Sequence, residues 1–132
     1  ISFSEEPAPD SMITVVAWTW EYSGGAHGNS WTASFNYDLD SGVFLGPIEL
    51  VGGQEAFRSL AQAAIEELKL VLEDDEDWIE RGAGPEPENY HTIIPVPDDN
   101  GELAGYRVFF PPYQVACYAC GMQEVYVPVE DL

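Results

Sequence analysis

The chain has 132 residues, 45% of them apolar and 13% aromatic, a globular composition sized for one domain with a real core. Its 24 acidic and 4 basic residues leave a net charge of -20. This excludes the clustered Lys and Arg that nucleic acid or an anionic membrane surface requires and suits a cationic partner or simple self-repulsion in solution. No apolar run is long enough to span a bilayer, so no membrane insertion is expected within the chain. Residues 1–11, with two prolines and three acids, read as a leader or the end of a preceding segment, weakly ordered. Residues 12–132 read as a single domain.

Met12 to Trp20 is rich in Ile, Val, Thr and Trp, which predicts a strand, and its continuous apolarity predicts burial on both faces. Trp31 to Tyr37 alternates strictly, with Trp31, Ala33, Phe35 and Tyr37 on one face. That pattern predicts a half-buried antiparallel strand with the aromatic face inward. Asp38 to Gly42 is a turn, and Val43 to Leu45 returns as the partner strand. Gln54 to about Leu72 is the one long amphipathic helix, with Phe57, Leu60, Ala61, Ala64, Ile65 and Leu68 on its apolar stripe. Further strands are expected at His91–Val96, at Leu103–Phe110 after the Asn100-Gly101 hairpin signal, and at Glu124–Val129. The order predicts an α+β fold, a mostly antiparallel sheet with the helix packed across a face.

Between the first two strands lies Tyr22-Ser23-Gly24-Gly25-Ala26-His27-Gly28-Asn29, far richer in glycine than a hairpin needs. His27 has two readings: a titratable site group, or an imidazole pinning a tight loop through backbone carbonyls. Near the other end is a lone CxxC, Cys117-Tyr118-Ala119-Cys120. Neither His27 nor His91 stands at zinc-finger spacing from it, and it lacks the strand-to-helix setting of a redox pair. A local disulfide and two buried thiols remain as alternatives. The acidic run Glu73 to Asp77 lacks the spaced oxygens and central glycine of a calcium loop. No nucleophile elbow, phosphate loop or zincin helix is present, so neither enzyme activity nor a cofactor or metal is expected.

Tyr22-Ser23-Gly24-Gly25-Ala26-His27-Gly28-Asn29, then Asn36-Tyr37-Asp38 with Ser41-Gly42, resembles the front half of the C-terminal extracytoplasmic domain of RsiV-type anti-sigma factors. The rear half resembles it too, through Phe110-Pro111-Pro112-Tyr113-Gln114-Val115-Ala116 running into Gly121, Glu124-Val125 and Val127-Pro128. The same domain occurs in some peptidoglycan deacetylases. Cys117 and Cys120 depart from the family pattern, which has small or proline residues there. The resemblance implies an extracytoplasmic, non-enzymatic binding or sensor domain, whose partner is a basic protein such as lysozyme or a peptidoglycan fragment. The expected contact residues are Tyr22, His27, Asn29, Tyr113 and Tyr118, on a loop framework of Gly24, Gly25, Gly28 and Gly121. Two alternatives stand beside it: a glycan-binding accessory module of a cell-wall enzyme, and a metal- or thiol-dependent enzyme using His27 with Cys117 and Cys120.

Overall fold

Two antiparallel sheets divide the strands between them. The computed structural model describes residues 1–22, 24–25, 28–73 and 76–132. The first sheet contains β1 (Ser2–Glu6), β2 (Met12–Glu21), β3 (Asn29–Asp38) and β4 (Val43–Leu45), in that spatial order. Three helices follow, α1 (Pro47–Val51), α2 (Gln54–Val71) and α3 (Glu76–Ala83). The second sheet, in the order β5 (Ile93–Pro97), β6 (Leu103–Phe110) and β7 (Gln123–Pro128), completes an α+β fold.

The main core lies between α2 and the second sheet. Phe57, Leu60, Ala61, Ala64, Ile65 and Leu68 recur at helical spacing and are all buried. They meet alternate residues of the strands, Tyr106, Val108 and Phe110 of β6 and Val125 and Val127 of β7. Each large apolar side chain so removed from water contributes roughly 1.5–3 kcal/mol. Tyr90 fills the centre, with its ring edge-on to Phe57 (5.2 Å) and Phe110 (5.5 Å) and its hydroxyl donating to the Ala83 carbonyl at 2.6 Å.

Four expectations need correction. The strands form two sheets rather than one. The long helix does not stand alone: Gly46-Pro47 starts a short helix instead of only ending β4, because Pro suits a first helical turn. The acidic run likewise leads into α3, whose first turn places Glu76 and Asp77 at the favourable end of the helix dipole. Residues 2–6, expected to be weakly ordered, pair along their length with β2, and Trp18 Nε1 anchors Ser4 Oγ at 2.9 Å.

The fourth correction concerns faces. In β3 the polar residues point inward and the aromatic ones outward: Thr32 and Asn36 are buried while Trp31 and Phe35 are exposed. The cause is the edge of β5. Ser34 Oγ accepts from the Ile93 amide at 2.9 Å, and Asn36 Nδ2 donates to the Ile93 carbonyl at 3.0 Å. Thr14 Oγ donates to Asn36 Oδ1 at 2.8 Å, and the Thr32 and Thr92 hydroxyls share a 2.7 Å bond. Buried backbone groups must find partners, and here side chains of one sheet supply them to the edge of the other. Beside this network, Val16 and Trp18 of β2 pack on Ile94 and Phe109. On the outer face of β2, by contrast, only Ala17 is buried, and Ile13 is exposed.

Candidate functional site

The glycine loop leaves β2 after Glu21 and enters β3 at Asn29, residues that face each other in register. Ser23, Ala26 and His27, and with them the expectation for His27, lie outside the described residues. Gly24 has φ +93°, the left-handed region that glycine reaches without steric cost. Gly28 is needed for a different reason. A Cβ there would lie 2.6 Å from the Trp20 indole, so only glycine lets Trp20 cross the loop this closely. Trp20 and Tyr22 are both exposed, and their rings stack at 6.4 Å with 10° between planes.

The second half of the site comes from residues 111–121. Tyr118 sits in a short 3₁₀ turn flanked by Cys117 and Cys120, which are joined in a disulfide. In this form neither sulfur is the thiolate that a metal ligand or a nucleophile must be. Gly121, at φ +77°, ends the turn. The Tyr118 hydroxyl donates to the Gly28 carbonyl at 2.7 Å, and its ring packs on Tyr113 at 5.3 Å. Tyr113 itself has φ +75°, rare for an aromatic residue, and its carbonyl accepts from Trp78 Nε1 at 2.9 Å. Underneath, Gln114 Nε2 donates to the Gly82 and Asn89 carbonyls at 2.8 and 2.7 Å, which ties this segment to the end of α3.

The structure thus brings Tyr22, Gly28, Tyr113 and Tyr118 into one aromatic surface. Asn29 stands opposite Glu21 on the outer face of the first sheet. Gly24 and Gly25 are exposed in the loop. Trp20 and Trp78 are members of the surface that sequence reasoning missed. Trp20 had a signal, since it lies two residues before the glycine loop. Trp78 had none, being placed only by the fold. Beside the surface opens a shallow pocket of about 360 Å³, lined by Trp18, Trp20, Ser30, Trp31 and Met122 among others. Among the described residues no group of three His, Cys, Asp or Glu side chains could hold a metal ion, and no helix is long and apolar enough to cross a membrane.

Asn36-Tyr37-Asp38 and Ser41-Gly42 work elsewhere. Asn36 seals the β5 edge, and Asp38 Oδ2 accepts from the Ser41 hydroxyl (2.5 Å) and amide (3.2 Å) to shape the β3–β4 turn. The Ser41 bond holds the Asp38 carboxyl below its ordinary value. That motif is architectural.

Two solved structures are similar in fold. A DUF3298 family protein from Pseudomonas aeruginosa PAO1 superposes with a TM-score of 0.63 at 19% identity, over 98% of this chain and 58% of that one. Another, from Bacteroides fragilis NCTC 9343, gives 0.58 at 22% identity over 97% and 51%. The chain has the fold of these two proteins. In sequence, it is 30% identical over 117 residues to the peptidoglycan-N-acetylmuramic acid deacetylase PdaC of Bacillus subtilis strain 168. That match covers 86% of this chain but only 24% of the deacetylase. No profile of a known protein family matches the chain. The chain therefore spans a little over half the length of each solved chain and about a quarter of the curated relative.

Proposed function

We propose that the chain is a non-enzymatic, extracytoplasmic binding domain of a cell-envelope protein, a sensor of the RsiV type. Its contact surface is the aromatic patch of Trp20, Tyr22, Tyr113 and Tyr118. The observation that carries this reading is the bond from Tyr118 to the Gly28 carbonyl. It joins two distant motifs into one exposed surface of rigid aromatic side chains, the kind that anchors interfaces at low entropic cost. Similarity to a peptidoglycan deacetylase supports a setting at the cell wall. The charge of -20 favours fast encounter with a basic partner such as lysozyme. A second reading, favoured by the same similarity and by the tryptophan-lined pocket, is a glycan-binding accessory module of a cell-wall enzyme.

Calorimetric titration with a basic lysozyme at two salt concentrations tests the first reading, with Tyr113→Gly as the decisive variant. Glycine relieves the strain of a positive φ while deleting the ring, so about 1 kcal/mol of released strain offsets the lost ring contact and the fold survives. Saturable binding that persists at about 0.15 M salt and weakens at least tenfold in Tyr113→Gly is expected. Binding that vanishes at that salt rejects lysozyme. Titration with soluble peptidoglycan fragments, read by tryptophan fluorescence, then decides the second reading.

A further inference from the structure

The outer face of the first sheet is apolar and uncovered. Phe3 of β1, Trp31 and Phe35 of β3 and Phe44 of β4 share it, and they are 64%, 41%, 46% and 68% exposed. Their alignment follows from register: Phe3 stands opposite Ala17, Ala17 opposite Ala33, and Tyr37 opposite Phe44. Isolated exposed apolar residues are ordinary, but a contiguous aromatic stripe across a sheet marks a place where something docks. In a chain carrying a charge of -20, this stripe is the part of the first sheet that gains most from leaving water.

The charges around it indicate what fits. Glu5 and Glu21 lie on this same face, opposite Val15 and Asn29, and Asp40 is exposed in the adjoining turn. No Lys or Arg occurs before Arg58, so the entire first sheet has no basic side chain. A second copy of the chain would bring acidic rim against acidic rim. An anionic bilayer would be repelled in the same way. A segment with an apolar stripe flanked by Lys and Arg is complementary in both respects. Its shape is indicated within the molecule: the second sheet is covered by the 18-residue helix α2. Strands β2 and β3, ten residues each, extend ~33 Å, room for a helix of similar length at ~27 Å.

We propose that the outer face of the first sheet binds a cationic amphipathic helix, laid across Phe35 and Trp31 with its basic flanks toward Glu5 and Glu21. This site uses residues other than the Tyr113–Tyr118 patch and stands or falls independently of it. The probe is a labelled 18-residue helix-forming peptide of Leu and Lys with a single apolar stripe, titrated against the whole chain by fluorescence anisotropy. A scrambled peptide of equal composition but without the stripe is the control. Saturable one-to-one binding is expected, at least tenfold tighter than for the scrambled peptide. Phe35→Asp and Phe44→Asp should each weaken it about tenfold, although each adds a negative charge that would strengthen a purely electrostatic attraction. Both positions are exposed, and unchanged thermal unfolding of each variant separates lost binding from lost fold.

Equal binding of the two peptides, or tighter binding by Phe35→Asp, overturns the proposal. So does a concentration-dependent dimer that Phe35→Asp dissolves in sedimentation, since the occupant is then a second copy. Association with neutral phosphatidylcholine vesicles that Phe35→Asp abolishes, without peptide binding, assigns the face to a membrane and overturns it equally.

Discussion

Two phenols in the core couple this fold to alkaline pH. Tyr90 and Tyr106 are buried and donate to the Ala83 and Leu50 carbonyls at 2.6 and 3.1 Å. Burial raises both above the ordinary tyrosine value, and Glu86 nearby adds to the effect on Tyr90. The unfolded chain therefore sheds these protons first, as pH passes about 10. Their contribution is complete below that pH and is lost as pH rises toward the folded values, at about 1.4 kcal/mol per pH unit for each phenol. Tyr90→Phe should cost about 1 kcal/mol at pH 7, through the lost bond to Ala83, yet lose less stability than the parent between pH 7 and pH 11. Urea unfolding at the two pH values checks this. An unchanged slope would show that Tyr90 does not remain protonated in the fold.

At the scale of elements, β3 decides how the two sheets meet. Asn36→Ala should cost about 2–3 kcal/mol in urea unfolding, because it strands the buried Ile93 carbonyl and the Thr14 hydroxyl together. Asn36→Asp should cost more, since it also buries a negative charge against that carbonyl oxygen. Equal stability of Asn36→Ala and the parent would mean the inter-sheet network contributes nothing. β3 is also where reading the sequence failed. The alternation of Trp31, Ala33, Phe35 and Tyr37 located the strand correctly, but alternation alone does not say which face is inside. The orientation depends on β5, some 60 residues away, whose edge needs Ser34 and Asn36. The α2 stripe was legible because helical periodicity and burial coincide there. Helix α1 and helix α3 were not, since Gly-Pro and acidic runs also signal loops. At the aromatic site, the motifs named Gly28 and Tyr118 separately, and no spacing rule could place the one's hydroxyl on the other's carbonyl.

Over the whole molecule, 24 acids meet 4 bases, and the two ion pairs among the described residues, Lys69–Glu80 and Arg107–Glu124, both lie at the surface. Exposed pairs of this kind contribute little, so repulsion between carboxylates is the dominant long-range term. Screening should relieve it: the thermal midpoint is expected to rise by about 5 °C between 0.01 and 0.5 M sodium chloride. Scanning calorimetry measures this directly, and a flat response would mean that the acids are spaced too widely to interact. The seal on β5 also has a consequence for a chain that is cleaved. A clipped chain with the second sheet formed and the first missing would expose Ile93 as a naked strand edge, ready to recruit another strand and seed a fibre. Ser34 and Asn36 thus do more than join two sheets: they cover a strand edge, and cleavage on the N-terminal side of α1 should leave the remaining chain prone to aggregate.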